Sequence, residues 1–243
     1  MRIDYNLFTD VGGRRVNEDS VRCAVREDAA VFVLCDGLGG HGKGEIASSV
    51  VADFIIQQFN CCDDYESFVQ DVLEKAQEQL LAKQVELRAQ SEMKTTATLL
   101  LICGNSYKYA YIGDSRIYCF RNNKVLSRTL DHSVPQMLVL AGEIKEKQIR
   151  KHPDRNRLLR VMGVEWEERR YVVSETEQLK VGDAFLLCSD GFWEPINEKQ
   201  MCKFLKHASS AGNWTEQMAV QIRKNSDIRE MDNFSAVAVI VNK

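Results

Sequence analysis

Proline is nearly absent, with three among 243 residues, and no Ser/Gly-rich stretch or low-complexity segment interrupts the chain. Nothing marks a linker, so a single domain covering 1-243 is expected, long enough to bury one substantial core. No apolar run approaches the roughly 20 residues that cross a bilayer, and no membrane association is expected. The opening MRIDYNLFTD lacks the apolar stretch of a secretory signal, which makes a cytoplasmic location the expectation. An excess of base is missing too: 32 Lys and Arg stand against 35 Asp and Glu, a net charge of -3. That balance argues against a general nucleic-acid binder, whose affinity rests on concentrated positive charge. Eight cysteines are present without a single CxxC pair, and Cys35, Cys103 and Cys188 sit in apolar runs. Buried free thiols are the expected reading, rather than a disulfide or zinc framework.

With 44% hydrophobic and 28% charged residues the composition is that of an ordinary globular protein. Strand-like runs occupy 3-9, 21-26 and 31-35. Apolar spacing of three and four then predicts helices around 46-55 and over 64-90. From 95 to 130 four strand-like runs follow, joined at Gly104-Asn105, Gly113-Asp114 and Asn122-Asn123; these read as an antiparallel meander. A short helix near 133-141 is stopped by Gly142, and a polar stretch continues to about 163. Strands at 171-176 and 184-188, helices at 197-207 and 214-225, and a closing FSAVAVIV strand complete the pattern. Strands in blocks, rather than one per helix, predict antiparallel sheets with helices packed outside them.

Two apolar strands run directly into Asp-Gly: VFVLC into Asp36-Gly37 and AFLLCS into Asp190-Gly191. A buried strand is a rigid platform for a terminal carboxylate, and the glycine allows close backbone approach to a bound ion. Asp-Gly alone is equally a turn dipeptide. Three further acidic groups also stand at strand boundaries: Asn17-Glu18-Asp19, Gly113-Asp114-Ser115-Arg116 and Met231-Asp232-Asn233. Carboxylates gathered without cations repel one another, so convergence implies metal. Oxygen ligands suit Mg²⁺ or Mn²⁺.

In order, these segments resemble the protein phosphatase 2C family, the metal-dependent protein phosphatases, in its compact bacterial branch. The resemblance runs through Arg14-Arg15-Val16-Asn17-Glu18-Asp19, Asp36-Gly37-Leu38-Gly39-Gly40-His41, Thr95-Thr96-Ala97-Thr98, Gly113-Asp114-Ser115-Arg116, Asp131-His132-Ser133, Ser189-Asp190-Gly191 and Asp232-Asn233. It implies an α+β fold, a four-layer αββα sandwich of two antiparallel sheets flanked by helices, with a flap at about 134-160. It further implies that Asp36 bridges two core Mn²⁺ or Mg²⁺ ions, that the Gly37 carbonyl binds one, and that Asp190 and Asp232 complete the other site. Asp114, with Asp190, matches a third, weaker site; Asp19 and Glu18 match the acidic pair supporting the core ions; Arg14 matches the arginine that grips substrate phosphate.

The implied activity is that of a serine/threonine protein phosphatase, hydrolysing phosphoserine and phosphothreonine by attack of a hydroxide bridging two metals. Its implied partners are phosphorylated proteins, with an opposing bacterial Ser/Thr kinase, and the chain is expected to be a monomer. A catalytically silent phosphoprotein-binding module on the same fold, or a hydrolase of another phosphoester, are the rival readings; the retained aspartates argue against the first. No HCx5R cysteine nucleophile is present. The histidine that follows Asp-Gly in eukaryotic relatives is Leu38 here, which leaves the proton donor unassigned, with His41 as a candidate better explained structurally. Thr96 and Thr98 are assigned to strand propensity, His132 to structure, and His152 and His207 to the surface.

Overall fold

The computed structural model describes residues 2–38, 43–90 and 92–242. Its elements begin with β1 (Arg2–Asp10), β2 (Asp19–Val25), β3 (Ala29–Leu38), α1 (Gly44–Asn60) and α2 (Tyr65–Leu87). A strand block follows: β4 (Lys94–Thr95), β5 (Ala97–Cys103), β6 (Ser106–Ile112), β7 (Arg116–Arg121) and β8 (Lys124–Arg128). The 134–160 stretch carries α3 (Val134–Leu140) and a 3-10 helix (Glu146–Lys151). The chain closes with β9 (Val172–Val173), β10 (Glu177–Gln178), β11 (Ala184–Cys188), α4 (Asp190–Trp193), α5 (Glu198–His207), α6 (Ala211–Asn225) and β12 (Phe234–Asn242).

Side-chain alternation divides the interior into three apolar layers. Along β3, Val31, Val33 and Cys35 join the layer under α1 and α2, while Ala30, Phe32 and Leu34 enter the layer between the sheets. β12 does the same on the other side: Val237, Val239 and Val241 face inward, and Ala236 and Ala238 face the layer holding Trp214 and Met218 of α6. One sheet has the order β1-β12-β11-β7-β8 and the other β10-β6-β5-β3-β2, with all named pairs antiparallel. The expected αββα sandwich is thereby formed.

Four expectations are corrected. The 95–130 region is not one meander, because β6 and β7 lie in different sheets; at Gly113-Asp114-Ser115 the chain crosses from one sheet to the other. Gly113 adopts φ +105 there, and a Cβ on it would meet Thr96 Cγ2 at 2.5 Å. The polar stretch after Gly142 is less irregular than expected, holding the 3-10 helix, and the 171–176 strand shrinks to two residues. All eight cysteines are free, as expected, but only Cys35, Cys119 and Cys188 are buried. No helix among the described residues is long and apolar enough to cross a membrane.

Candidate metal centre

The acidic residues singled out in the sequence meet at one end of the sandwich because that is where the relevant strands start and stop. Asp19 opens β2 and stands directly opposite Asp36 near the end of β3. Asp190 follows β11, Asp232 precedes β12, and Ser189 N–H donates to Ser235 O at 3.1 Å, keeping these two segments side by side. Asp114 lies at the crossing into β7. Asp190 stands near enough to Asp36 for its charge to act on that carboxyl.

Backbone and hydroxyl groups fix these positions. Asp36 N–H donates to Thr96 Oγ1 at 3.0 Å, and the Asp36 carbonyl accepts from Thr95 Oγ1 and Thr96 N–H, both at 2.8 Å. Thr96 Oγ1 also lies 2.8 Å from Ser115 Oγ, which ties the Asp36 strand end to the Asp114 crossing. Ser189 Oγ donates to Asp19 Oδ2 at 2.8 Å. Asn233 Oδ1 accepts from Glu18 N–H at 2.8 Å, while its amide nitrogen donates to the Val11 and Val16 carbonyls. The two Asp-Gly glycines serve their neighbours' backbones: a Cβ on Gly37 would lie 2.3 Å from Gly44 O, and one on Gly191 2.2 Å from Asn233 O. That close packing, rather than room for an ion, is the reason the structure gives for glycine at both positions.

The electrostatics are those of like charges confined together. Asp19 is pushed up to about 7 and Asp190 to about 6; in both, burial is the largest cause, and carboxylate neighbours add to it, Asp190 and Asp232 for Asp19 and Asp232 for Asp190. Asp36 is raised by burial and then by Asp19, Asp190, Asp114 and Asp232; Asp114 is raised by burial and then by Asp190. Glu18 is raised by burial and by Glu45. Asp19 and Asp114 are buried, whereas Asp36, Asp190 and Asp232 keep a partial opening to solvent. That opening tempers the effect of burial on Asp36 and Asp190, and mutual repulsion is the contribution that survives it.

Donor chemistry and satisfaction both fit a hard divalent cation. Among the described residues Asp19 Oδ1 is buried without a hydrogen-bond partner, and a cluster of carboxylate oxygens is what Mg²⁺ or Mn²⁺ prefers. As the side chains stand, no group of three or more His, Cys, Asp or Glu among the described residues is arranged to hold a metal ion. His41 lies outside the described residues.

Arg14 lies on the rim, its Nη2 2.7 Å from Asp232 Oδ2, both side chains substantially exposed. Gly12 (φ +61) and Gly13 put its loop against the 228–232 segment, where a Cβ on Gly12 would sit 2.2 Å from Asp232 O. Arg14, Asp190 and Asp232 line a cavity of about 260 Å³ together with Arg155 and Glu194. Exposed ion pairs contribute roughly 0–1 kcal/mol, so Arg14→Ala should leave the urea midpoint nearly unchanged. On the expectation that Arg14 holds a substrate phosphate, loss of that charged hydrogen bond costs about 1.5–3 kcal/mol, and kcat/KM should fall about 10- to 100-fold in a phosphopeptide assay. An unchanged kcat/KM would remove Arg14 from the site.

A family model described as protein phosphatase 2C matches residues 12–227. The chain belongs to that family. The serine/threonine protein phosphatase PstP of Mycobacterium tuberculosis is 33% identical over 199 residues, 79% of this chain but 37% of the relative, so the chain spans little more than a third of that protein's length. Protein phosphatase PhpP of Streptococcus pneumoniae is 29% identical over 248 residues, 99% of this chain and 98% of its own. A crystal structure of the catalytic domain of PstP in complex with two manganese ions superposes with a TM-score of 0.85 at 25% identity, covering 99% of each chain.

Several residues that shape the site were not assigned roles from the sequence. Thr96, ascribed to strand propensity, holds the backbone of Asp36 across 60 positions. Ser115, Ser189 and Asn233 lie inside the acidic motifs, where the neighbouring aspartate carries the signal. Glu194, pushed up to about 7 by burial and then by the Asp190 charge, pairs with Arg155 at 3.2 Å on the cavity wall. Its only sequence signal was its place four residues after Asp190.

Proposed function

We propose that this chain is a metal-dependent serine/threonine protein phosphatase, cleaving phosphate from phosphoserine and phosphothreonine in proteins. The observation that carries this reading is the convergence of Asp19, Asp36, Asp114 and Asp190, each pushed upward in part by its acidic neighbours. Asp36, the Gly37 carbonyl, Asp190 and Asp232 would hold two Mn²⁺ or Mg²⁺ ions; Glu18 and Asp19 would support them, and Asp114 with Asp190 would take a third. Bound there, the ions supply Lewis acidity and a nucleophile available near neutral pH.

The remaining work falls to the protein. Arg14, on the open rim, is placed to exchange its contact with Asp232 for a phosphoryl oxygen, neutralising charge that grows during transfer. The cavity beside it, walled by Arg14 and Arg155, receives the phosphorylated side chain. Thr95, Thr96, Ser189 and Asn233 keep the carboxylates in register, so little reorganisation accompanies reaction. As a phosphoprotein phosphatase the chain would act in the cytoplasm, as a monomer, opposing a Ser/Thr kinase. The silent-module alternative has no support in a site that retains every expected carboxylate.

Phosphate release from a phosphothreonine peptide should require added manganese and stop on chelation. Turnover undiminished by chelator would overturn the metal mechanism.

A further inference from the structure

Trp193 touches the site without belonging to the acidic set. It ends the single turn of α4 that begins at Asp190, and its indole N–H donates to the Asp114 carbonyl at 3.1 Å. One side chain thus links the segment after β11 with the crossing between the sheets. Two guanidinium groups stand over the ring: Arg116 Cζ is 3.4 Å from its centroid and Arg150 Cζ 5.3 Å. Arg116 is itself fixed by Asp131 and by Tyr118 Oη at 2.9 Å. Arg150, on the 3-10 helix of the flap, donates to the Trp193 carbonyl and to Glu198 at 2.6 Å. At 2% exposure the indole has no freedom to leave this arrangement.

Asp114 and Asp190 reach the site from the ends of different segments, and among the described residues no other side chain donates to the Asp114 carbonyl. We propose that Trp193 is a positioning residue that sets the separation of Asp114 and Asp190, and with it the affinity of the weakest cation. The inference rests on the metal-phosphatase reading. It adds a route by which the flap influences that ion, since Arg150 braces the same ring. A hydrogen bond one step behind a ligand typically changes metal affinity about 10- to 100-fold.

The test is manganese binding by isothermal titration calorimetry on the wild type, Trp193→Phe and Asp114→Ala, with thermal unfolding in parallel. Phenylalanine keeps an aromatic ring beside the guanidinium groups and removes only the N–H donor and part of the bulk. The expected result is a third binding step weakened about tenfold in Trp193→Phe, with the two tighter steps within about twofold of wild type. Asp114→Ala should lack the third step altogether. The concentration of manganese giving half-maximal activity should rise in Trp193→Phe while the maximal rate is retained. Wild-type affinity at every step in Trp193→Phe overturns the proposal, as does parallel weakening of all steps with a large drop in unfolding temperature, which marks a purely structural role. A wild type whose isotherm matches that of Asp114→Ala overturns it too, leaving the core pair intact. Wild-type protein that takes up no manganese sinks the phosphatase reading itself.

Discussion

Replacing Asp36 by Asn should abolish activity and, in the presence of chelator, make the protein more stable. Asp36 is the carboxylate pressed upon by all four aspartates Asp19, Asp190, Asp114 and Asp232. An amide of equal size removes one charge from that set without leaving a cavity. Relief of a like-charge contact at an effective dielectric near 20 is worth roughly 1–3 kcal/mol, a gain of about 2–10 °C in a domain of this size. Removal of a central charged group in such a site should lower kcat at least about a thousandfold. Thermal unfolding with chelator and a phosphopeptide assay with manganese check the two halves. A metal-free variant less stable than wild type would show that Asp36 is not under electrostatic pressure.

The same pressure gives the chelated wild type an unusual pH profile. Asp19 at about 7 and Asp190 at about 6 bind protons more tightly in the folded state than the unfolded chain does. Their stabilising contribution is full below the ordinary carboxylate value and is lost as pH rises through 6 and 7. Burial lowers His132 to about 4, which acts in the opposite sense, but only below about 6.5. Stability between pH 6.5 and 8 should therefore fall with rising pH in chelator, and Asp36→Asn should flatten the slope.

The second large effect concerns stability alone. Arg116 and Asp131 are 1% and 5% exposed and form a two-pronged ion pair, at 2.8 and 2.7 Å, with Arg116 two residues along the chain from Asp114. Asp131→Ala strands the guanidinium, and breaking one partner of a buried pair costs roughly 3–5 kcal/mol. Urea unfolding should show that loss, with Asp131→Asn falling between the variant and wild type because one acceptor oxygen survives. A cost below about 1 kcal/mol would mean that Tyr118 and the Trp193 ring suffice to hold Arg116.

Two motifs read separately in the sequence, Gly113-Asp114-Ser115-Arg116 and Asp131-His132-Ser133, are thus one structural unit. His132 N–H donates to the Gly113 carbonyl at 2.9 Å, and its Nδ1 accepts from Gly113 N–H at 3.1 Å. Linear order does not reveal such a pairing, because it depends on β7 and β8 folding back on each other. Strand periods and their Asp-Gly ends were legible, since alternation and apolar runs are local properties. The crossing at Gly113 was not, because a hairpin turn and a change of sheet use the same residues and differ only in where β7 finds its partner. The hold of Thr96 on Asp36 was equally hidden. Threonine in a strand satisfies local propensity whether or not its hydroxyl has a distant task.

β12 pairs with β1 along all nine positions, from Arg2 opposite Asn242 to Asp10 opposite Phe234, and separates β1 from β11. During synthesis β1 therefore has no place in its sheet until β12 has left the ribosome, and Asp232, just before β12, is the last of the acidic residues to arrive. No nascent chain short of that point can assemble the full set of carboxylates. Until then β11 lacks the neighbour that joins it to β1, and its apolar faces stay open to non-native contacts.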